Sequence, residues 1–283
     1  MATLRPTIAP NLPIAPQHYN HISEDKYSNV LRLYFNQIDN FTANLTNKNT
    51  GGGALLSFPY GAFHQDGTTT LTTSITNVST TPIVVGSTTP FPSAGYILIG
   101  TEIIQYTGTT STTFTGITRA ALGTSQVAHT AGAQISEVQG TGSSTTIGIV
   151  RFNNTDYSNG VVANPTDNTK VIFNTSGLYN VQVSFQLANF TNAVDNITTW
   201  FIVNGVNVPN TASIMAVPAN HGSVAGATIL AYNVYQRFNA GDYMQIGWTS
   251  DSGNSVIVTY PAGTTPVHPV SPAMILTAQF VSA

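Results

Sequence analysis

Leu178-Tyr179-Asn180-Val181-Gln182-Val183-Ser184-Phe185-Gln186-Leu187 alternates without a break. Tyr179, Val181, Val183, Phe185 and Leu187 fall on one face, and Asn180, Gln182, Ser184 and Gln186 on the other. A period of two with one dry side and one wet side is the signature of a β-strand lying on a core. Working outward, further strand-like runs occupy 199–203, 228–238, 243–249, 256–260 and 273–281. Asn204-Gly205 and Ala240-Gly241-Asp242 supply turn signals between them. Many short strands with no helical period between them predict a two-sheet antiparallel sandwich over residues 140–283.

Upstream, the block 67–139 carries only three charges, Glu102, Arg119 and Glu137, amid repeated Thr-Thr pairs. Its apolar runs, 82–85, 96–99 and 103–106, are short and bounded by Gly, Ser, Thr or Pro, which predicts a small β module. Residues 140–146, Gly-Thr-Gly-Ser-Ser-Thr-Thr, read as a linker or exit loop.

The N-terminal end follows a different rule. Pro6, Pro10, Pro13 and Pro16 favour an extended path over residues 1–22, on which Leu4, Ile8, Leu12 and Ile14 would act as apolar pegs of an anchoring arm. A helix is expected over 23–49, with Ser23 as its cap, Glu24 and Asp25 at its positive end and Gly51-Gly52-Gly53 closing it. Tyr27, Leu31, Tyr34, Ile38, Phe41 and Leu45 repeat every four and three residues, a heptad seam widened by Val30, Leu33 and Phe35. Bulky aromatic seam residues suit three strands better than two, so a short trimeric coiled coil is expected. Residues 50–66 then read as a hinge followed by the first strand of the sandwich.

Composition sets the outer limits. A chain of 283 residues has room for two or three domains. Charged residues make up 7% of it, against about 25% in ordinary domains. With 13 Phe, 12 Tyr and 42 Thr this is not the composition of a disordered chain. The formal charge is −3, and the eight basic residues are scattered singly, which argues against nucleic acid and anionic membrane surfaces as partners. No apolar run reaches the roughly 20 residues needed to cross a bilayer, so no membrane insertion is expected. The first residues do not read as a signal peptide. The absence of cysteine excludes disulfides, thiolate zinc sites and thiol catalysis.

The segments FNNTDYSNG (152–160), FNTSGLYNVQVSFQ (173–186), IVNGVNV (202–208) and AGDYMQIGW (240–248), in that order, resemble the jelly roll of tumour necrosis factor and of the globular heads of complement and collagen-type proteins. Phe58-Pro59-Tyr60-Gly61-Ala62-Phe63, with a Pro-rich arm and a helix of the LRLYFNQIDN kind, is similar to virion proteins of tailed bacteriophages. FPSAGYILIGTEIIQYTG (91–108) and FTGITRAALGTSQVAHTAGAQI (114–135) resemble a small β module of phage appendages. The resemblance implies a homotrimer located on the virion and assembled in the host cytoplasm, with Leu55 to Phe63 as first jelly-roll strand and 67–139 as an insertion. Its partners would be further copies of itself and capsid or tail proteins.

The inventory of chemistry is thin. Glycan cleavage needs two carboxylates about 5 to 10 Å apart. Only Glu24 and Asp25 are neighbours, at a helix N-terminus, while a long-range pair such as Asp156 with Asp167 stays open. His18 and His21 stand i, i+3, a spacing that polar surface and chelation both allow. Asp195, Asp242 and Asp251 are isolated in sequence, Asp242 fitting a turn that bonds the backbone two residues on. No enzyme, metal or cofactor is therefore expected. Trp200, Trp248, Tyr232, Tyr235 and Tyr260 form a candidate ligand surface, with core and trimer contacts as the competing role. The reading that results is a trimeric fibre, knob or decoration protein, with a receptor-binding tip for host glycan or protein and a glycan-processing spike as alternatives.

Overall fold

The computed structural model describes residue 11 and residues 18–46 and 58–283. The chain divides into two compact units at Pro59/Tyr60. In the first, the α-helix runs His21–Thr46, about 39 Å at 1.5 Å per residue. Its cap is Asn20, not Ser23: Asn20 Oδ1 accepts a 3.0 Å bond from the Ile22 amide, and the Asn20 carbonyl accepts from Ser23 and Glu24 at 3.0 and 3.2 Å. Both residue types cap well, and Asn20 sits one turn earlier. The arm residues Leu4, Ile8, Leu12 and Ile14 and the triple glycine lie outside the described residues.

In the second unit every regular element is a strand, and the strands pair antiparallel. Its first sheet runs, edge inward, 154–159, 60–65, 274–282 and 177–189, with 226–238 on the other flank of 177–189. Its second sheet runs 161–163, 171–173, 243–250, 195–203, with 213–217 beyond. The five longest strands alternate between the two: 177–189 in the first, 195–203 in the second, 226–238 back in the first, 243–250 in the second, 274–282 in the first. The arrangement is compatible with a sandwich. The first strand among the described residues is Tyr60–Gln65, with Phe58 and Pro59 ahead of it outside the strand; 55–57 of the expected first strand lie outside the described residues.

One core serves both sheets. Val181, Phe185 and Leu187 from the first meet Ile197, Phe201, Ile246 and Trp248 from the second, all essentially solvent-free. At one end, Phe173 stacks on Phe238 at 3.6 Å between ring centroids, and Tyr179 stands edge-on to Phe173 and Phe280 at 4.8 and 5.4 Å. Gly177 opens the central strand because a Cβ there would stand 2.3 Å from the Phe280 ring and 2.7 Å from the Ser282 carbonyl. Asn204 and Gly205 adopt φ of 50° and 80°, the two left-handed residues of the expected hairpin turn.

The block 67–139 folds as expected into β-structure around Leu71, Ile97, Ile99, Ile104, Phe114 and Ile135. It is also continuous with the first sheet. Strand 134–139 pairs with 256–258 through Ile257↔Gln139 and Val258↔Val138, and a further apolar cluster joins Leu98, Ile103 and Val138 to Ala188, Val256 and Val258. Residues 140–146 are a packed loop, not a free linker: a Cβ on Gly142 would touch the Tyr96 hydroxyl at 2.6 Å, and one on Gly253 the Ser143 amide nitrogen at 2.5 Å.

Phe185 is 0% exposed, with neighbours on both sheets. Phe185→Ala is expected to cost about 3 to 5 kcal/mol of stability, read as a lower midpoint at unchanged slope in denaturant unfolding.

Candidate functional surfaces

The wet side of the central strand is the middle of a broad exposed face. Its register places Asn180 between Tyr235 and Gln279, Gln182 between Asn233 and Thr277, and Ser184 between Ala231 and Ile275, while Gln186 faces Ile229. Ile229, Tyr235, Ile275 and Val281 are 56%, 61%, 41% and 47% exposed. The side chains lining the middle are short or neutral, leaving a shallow depression of about 410 Å³ over Gln182, Ser184, Ala231, Asn233, Ile275 and Thr277. On these three strands the outward positions carry one formal charge, Arg237 opposite Leu178. Towards the edge, Tyr60 and Tyr157 add 43% and 70% exposed rings. Sequence periodicity separates the wet side of 177–189 from its dry side but does not say what lies beside it. The outward Ile229 and Ile275 become one surface only when register sets them side by side.

The helix by itself shows a second stripe. Val30, Leu31, Tyr34, Ile38 and Phe41 are half-buried, whereas Tyr27, Leu33 and Phe35 are exposed at 39%, 60% and 58%. Of the six residues read as a seam, Leu31, Tyr34, Ile38 and Phe41 are half-buried and Tyr27 is exposed, while the Leu45 side chain is outside the described residues.

The five aromatic residues grouped as a ligand surface are not brought together. Trp248 is 1% exposed and belongs to the core, covered by Gly148, where a Cβ would stand 2.4 Å from the indole nitrogen. Tyr232 faces inward, its hydroxyl 2.9 Å from that of Thr199 and its ring 5.9 Å from Phe201. Trp200 lies on the outside of the second sheet, donating from Nε1 to Asn207 Oδ1 at 2.8 Å. Tyr235 is outward on the first sheet, and Tyr260 lines a cleft against the inserted module. Alternation along a strand separates residues that sequence proximity groups.

The carboxylates that sequence left isolated are mostly engaged. Glu102, with no exposed side-chain surface, receives Arg119 as a fork, Nε to Oε1 at 2.6 Å and Nη2 to Oε2 at 2.7 Å. The amides of Ala120 and Val127, each at 3.1 Å, and His129 Nε2 at 2.9 Å complete its shell. Arg119 donates onward to the carbonyls of Thr76, Ser79 and Val127, so the cluster clasps three loops. Burial pushes the Glu102 carboxyl up, but Arg119, Val127, His129 and Ala120 outweigh it and hold the group below its ordinary value. Glu137, also buried, accepts from Arg151 and Gln65 at 2.6 and 2.5 Å. There burial dominates and raises the carboxyl against the pull of Arg151. Asp195 is held by Ser250 at 2.6 Å and by the amides of Ser252 and Ser255.

Asp242 accepts from the Asn239 amide at 2.7 Å, three residues back instead of two residues on, and from Asn204 at 2.8 Å, locking two turns together. Asp156 pairs with His64 at 3.0 Å and Asp167 with Lys170 at 3.0 Å. No group of three or more metal-ligating side chains occurs among the described residues, and His18 and His21 are exposed. No family model matches the chain, and no curated protein shows significant similarity to it.

The Glu102 clasp predicts an acid-sensitive fold. A carboxyl depressed in the folded state contributes stability above its unfolded value near 4.5 and loses it as pH falls through the folded value. Glu102→Gln is expected to lose about 3 to 5 kcal/mol at pH 7, since it strands Arg119 in the interior, and to flatten the fall of melting temperature below pH 4.5. Melts monitored by circular dichroism from pH 7 to pH 2.5 check both.

Proposed function

We propose that this chain is a non-enzymatic structural protein of a tailed-phage particle. It is a homotrimeric fibre, knob or decoration protein whose jelly-roll head assembles through the outward face of the first sheet. The observation that carries the reading is that face: isoleucine, tyrosine and valine exposed among short neutral side chains, with Arg237 as the only formal charge on its three central strands. Water gains little from contact with it, and burying it against further copies removes apolar area without stranding a charge. The jelly-roll reading draws support from the five longest strands, which cross between two facing sheets. The threefold state draws support from the helix stripe, whose Leu31, Tyr34, Ile38 and Phe41 follow a heptad spacing. Three arms attached together would hold through effective concentration even where each contact is weak.

Sedimentation equilibrium is expected to give three times the 29.9 kDa chain mass. Ile229→Asp combined with Ile275→Lys should shift the equilibrium strongly towards folded monomer; a wild-type monomer at micromolar concentration would end the proposal. Removal of residues 1–22 should leave the trimer intact yet prevent incorporation into particles, scored by particle pull-down and mass measurement of the same sample. Loss of the trimer on that deletion would count against the role given to the arm.

A further inference from the structure

Within the unit Tyr60–Ala283, the inserted module and the sandwich enclose a cleft with two lobes. The larger, about 820 Å³, lies between Leu98 and Ala133 of the module and Phe190, Ala227 and Tyr260 of the sandwich. The smaller, about 550 Å³, is polar, with Thr124, Ser125, Asn192 and Asn220 on its walls. Thr101, Phe190 and the turn Ser223–Ala225 border both, so the two lobes adjoin. These volumes fall in the range of small-molecule sites.

The dividing turn is held in place. His221 and Val224 exchange backbone bonds at 2.9 and 3.1 Å, and Asn220 is tied to the carbonyls of Thr191 and Phe190 at 2.8 and 2.9 Å. A fixed septum lowers the ordering cost of binding.

Three features select the occupant. No Asp, Glu, Lys or Arg lines either lobe, and the one lining histidine, His129, is engaged with Glu102. A charged ligand would lose water there and meet no opposite charge. The larger lobe offers an apolar floor of Phe190, Val224 and Tyr260, Val224 being 68% exposed. The side chains of Thr101, Ser125, Asn192 and Ser223 make no hydrogen bond to other described residues, and hydroxyls and carboxamides both donate and accept. A purely apolar ligand would strip water from them without replacement. A ligand that presents C–H faces on one side and hydroxyls on the other satisfies both lobes. We propose that the cleft binds a neutral oligosaccharide. All of these lining residues belong to one chain.

The test uses the full chain on an array of uncharged hexose and N-acetylhexosamine oligosaccharides printed beside sialylated and sulfated ones, followed by calorimetric titration of the strongest uncharged hit. Wild type is expected to retain at least one uncharged glycan. Thr101→Trp, placed at the shared mouth, should weaken it at least tenfold, and Asn192→Ala with Ser223→Ala several-fold. Val206→Ala, 69% exposed in the 203–207 hairpin of the second sheet, should leave affinity unchanged. Should Thr101→Trp lower the melting temperature sharply, the double alanine variant carries the test. Retention of charged glycans alone, retention of no saccharide, or affinity indifferent to the cleft variants would overturn the proposal. Sedimentation of the same samples reads self-association separately.

Discussion

Strand 177–189 is paired along its whole length on one side with 226–238 and along most of the other with 274–282, and near its end with 256–258. Because strand side chains alternate with a period of two, that one register sets every inward residue of three strands and every outward one together. The core of Val181, Phe185 and Leu187, the outward face of Ile229, Tyr235 and Ile275, and the attachment of the inserted module through Val258 and Val138 all follow from it. A slip by one residue would expose the first set and bury the second. Gly177, pressed against Phe280 and Ser282, and the paired rings of Phe173 and Phe238 hold the strand end where that register begins.

Scarce charge has two consequences. Buried ion pairs cost desolvation, so those present are surrounded by further donors: the Glu102 carboxylate takes Arg119, His129 and two amides, and Glu137 takes Arg151 and Gln65. In both, partners distant in sequence are drawn together. Elsewhere the surface is left to Thr, Ser, Asn and Gln. Such a surface opposes close contact weakly, since no like charges have to be brought together and few ions have to be stripped of water.

The candidate surfaces were legible to different degrees, and the difference is one of range. The helix stripe from Leu31 to Phe41 is a local pattern and could be read directly, whereas the cap could not: Asn20 and Ser23 are both good caps, and only backbone bonds at 3.0 and 3.2 Å to the Asn20 carbonyl decide between them. Trp200, Trp248, Tyr232, Tyr235 and Tyr260 were grouped because aromatic residues recur along neighbouring strands. Parity and sheet membership then sent them to a core, two outer faces and a cleft wall. The cleft itself left no trace in sequence, since its walls come from residues 98–136, 190–192, 220–227 and 260–261.

From the sequence alone came the class of the chain: mainly β, one helix ahead of it and few charges. Those properties reside in composition and in periods of two and three to four residues, which neighbouring residues decide among themselves. Tertiary structure alone decided that the module continues the first sheet, that Glu102 meets Arg119 and His129, and that outward isoleucines and tyrosines form one face. Each depends on register and on contacts between residues far apart in the chain, and a local period carries no information about which distant strand will lie alongside.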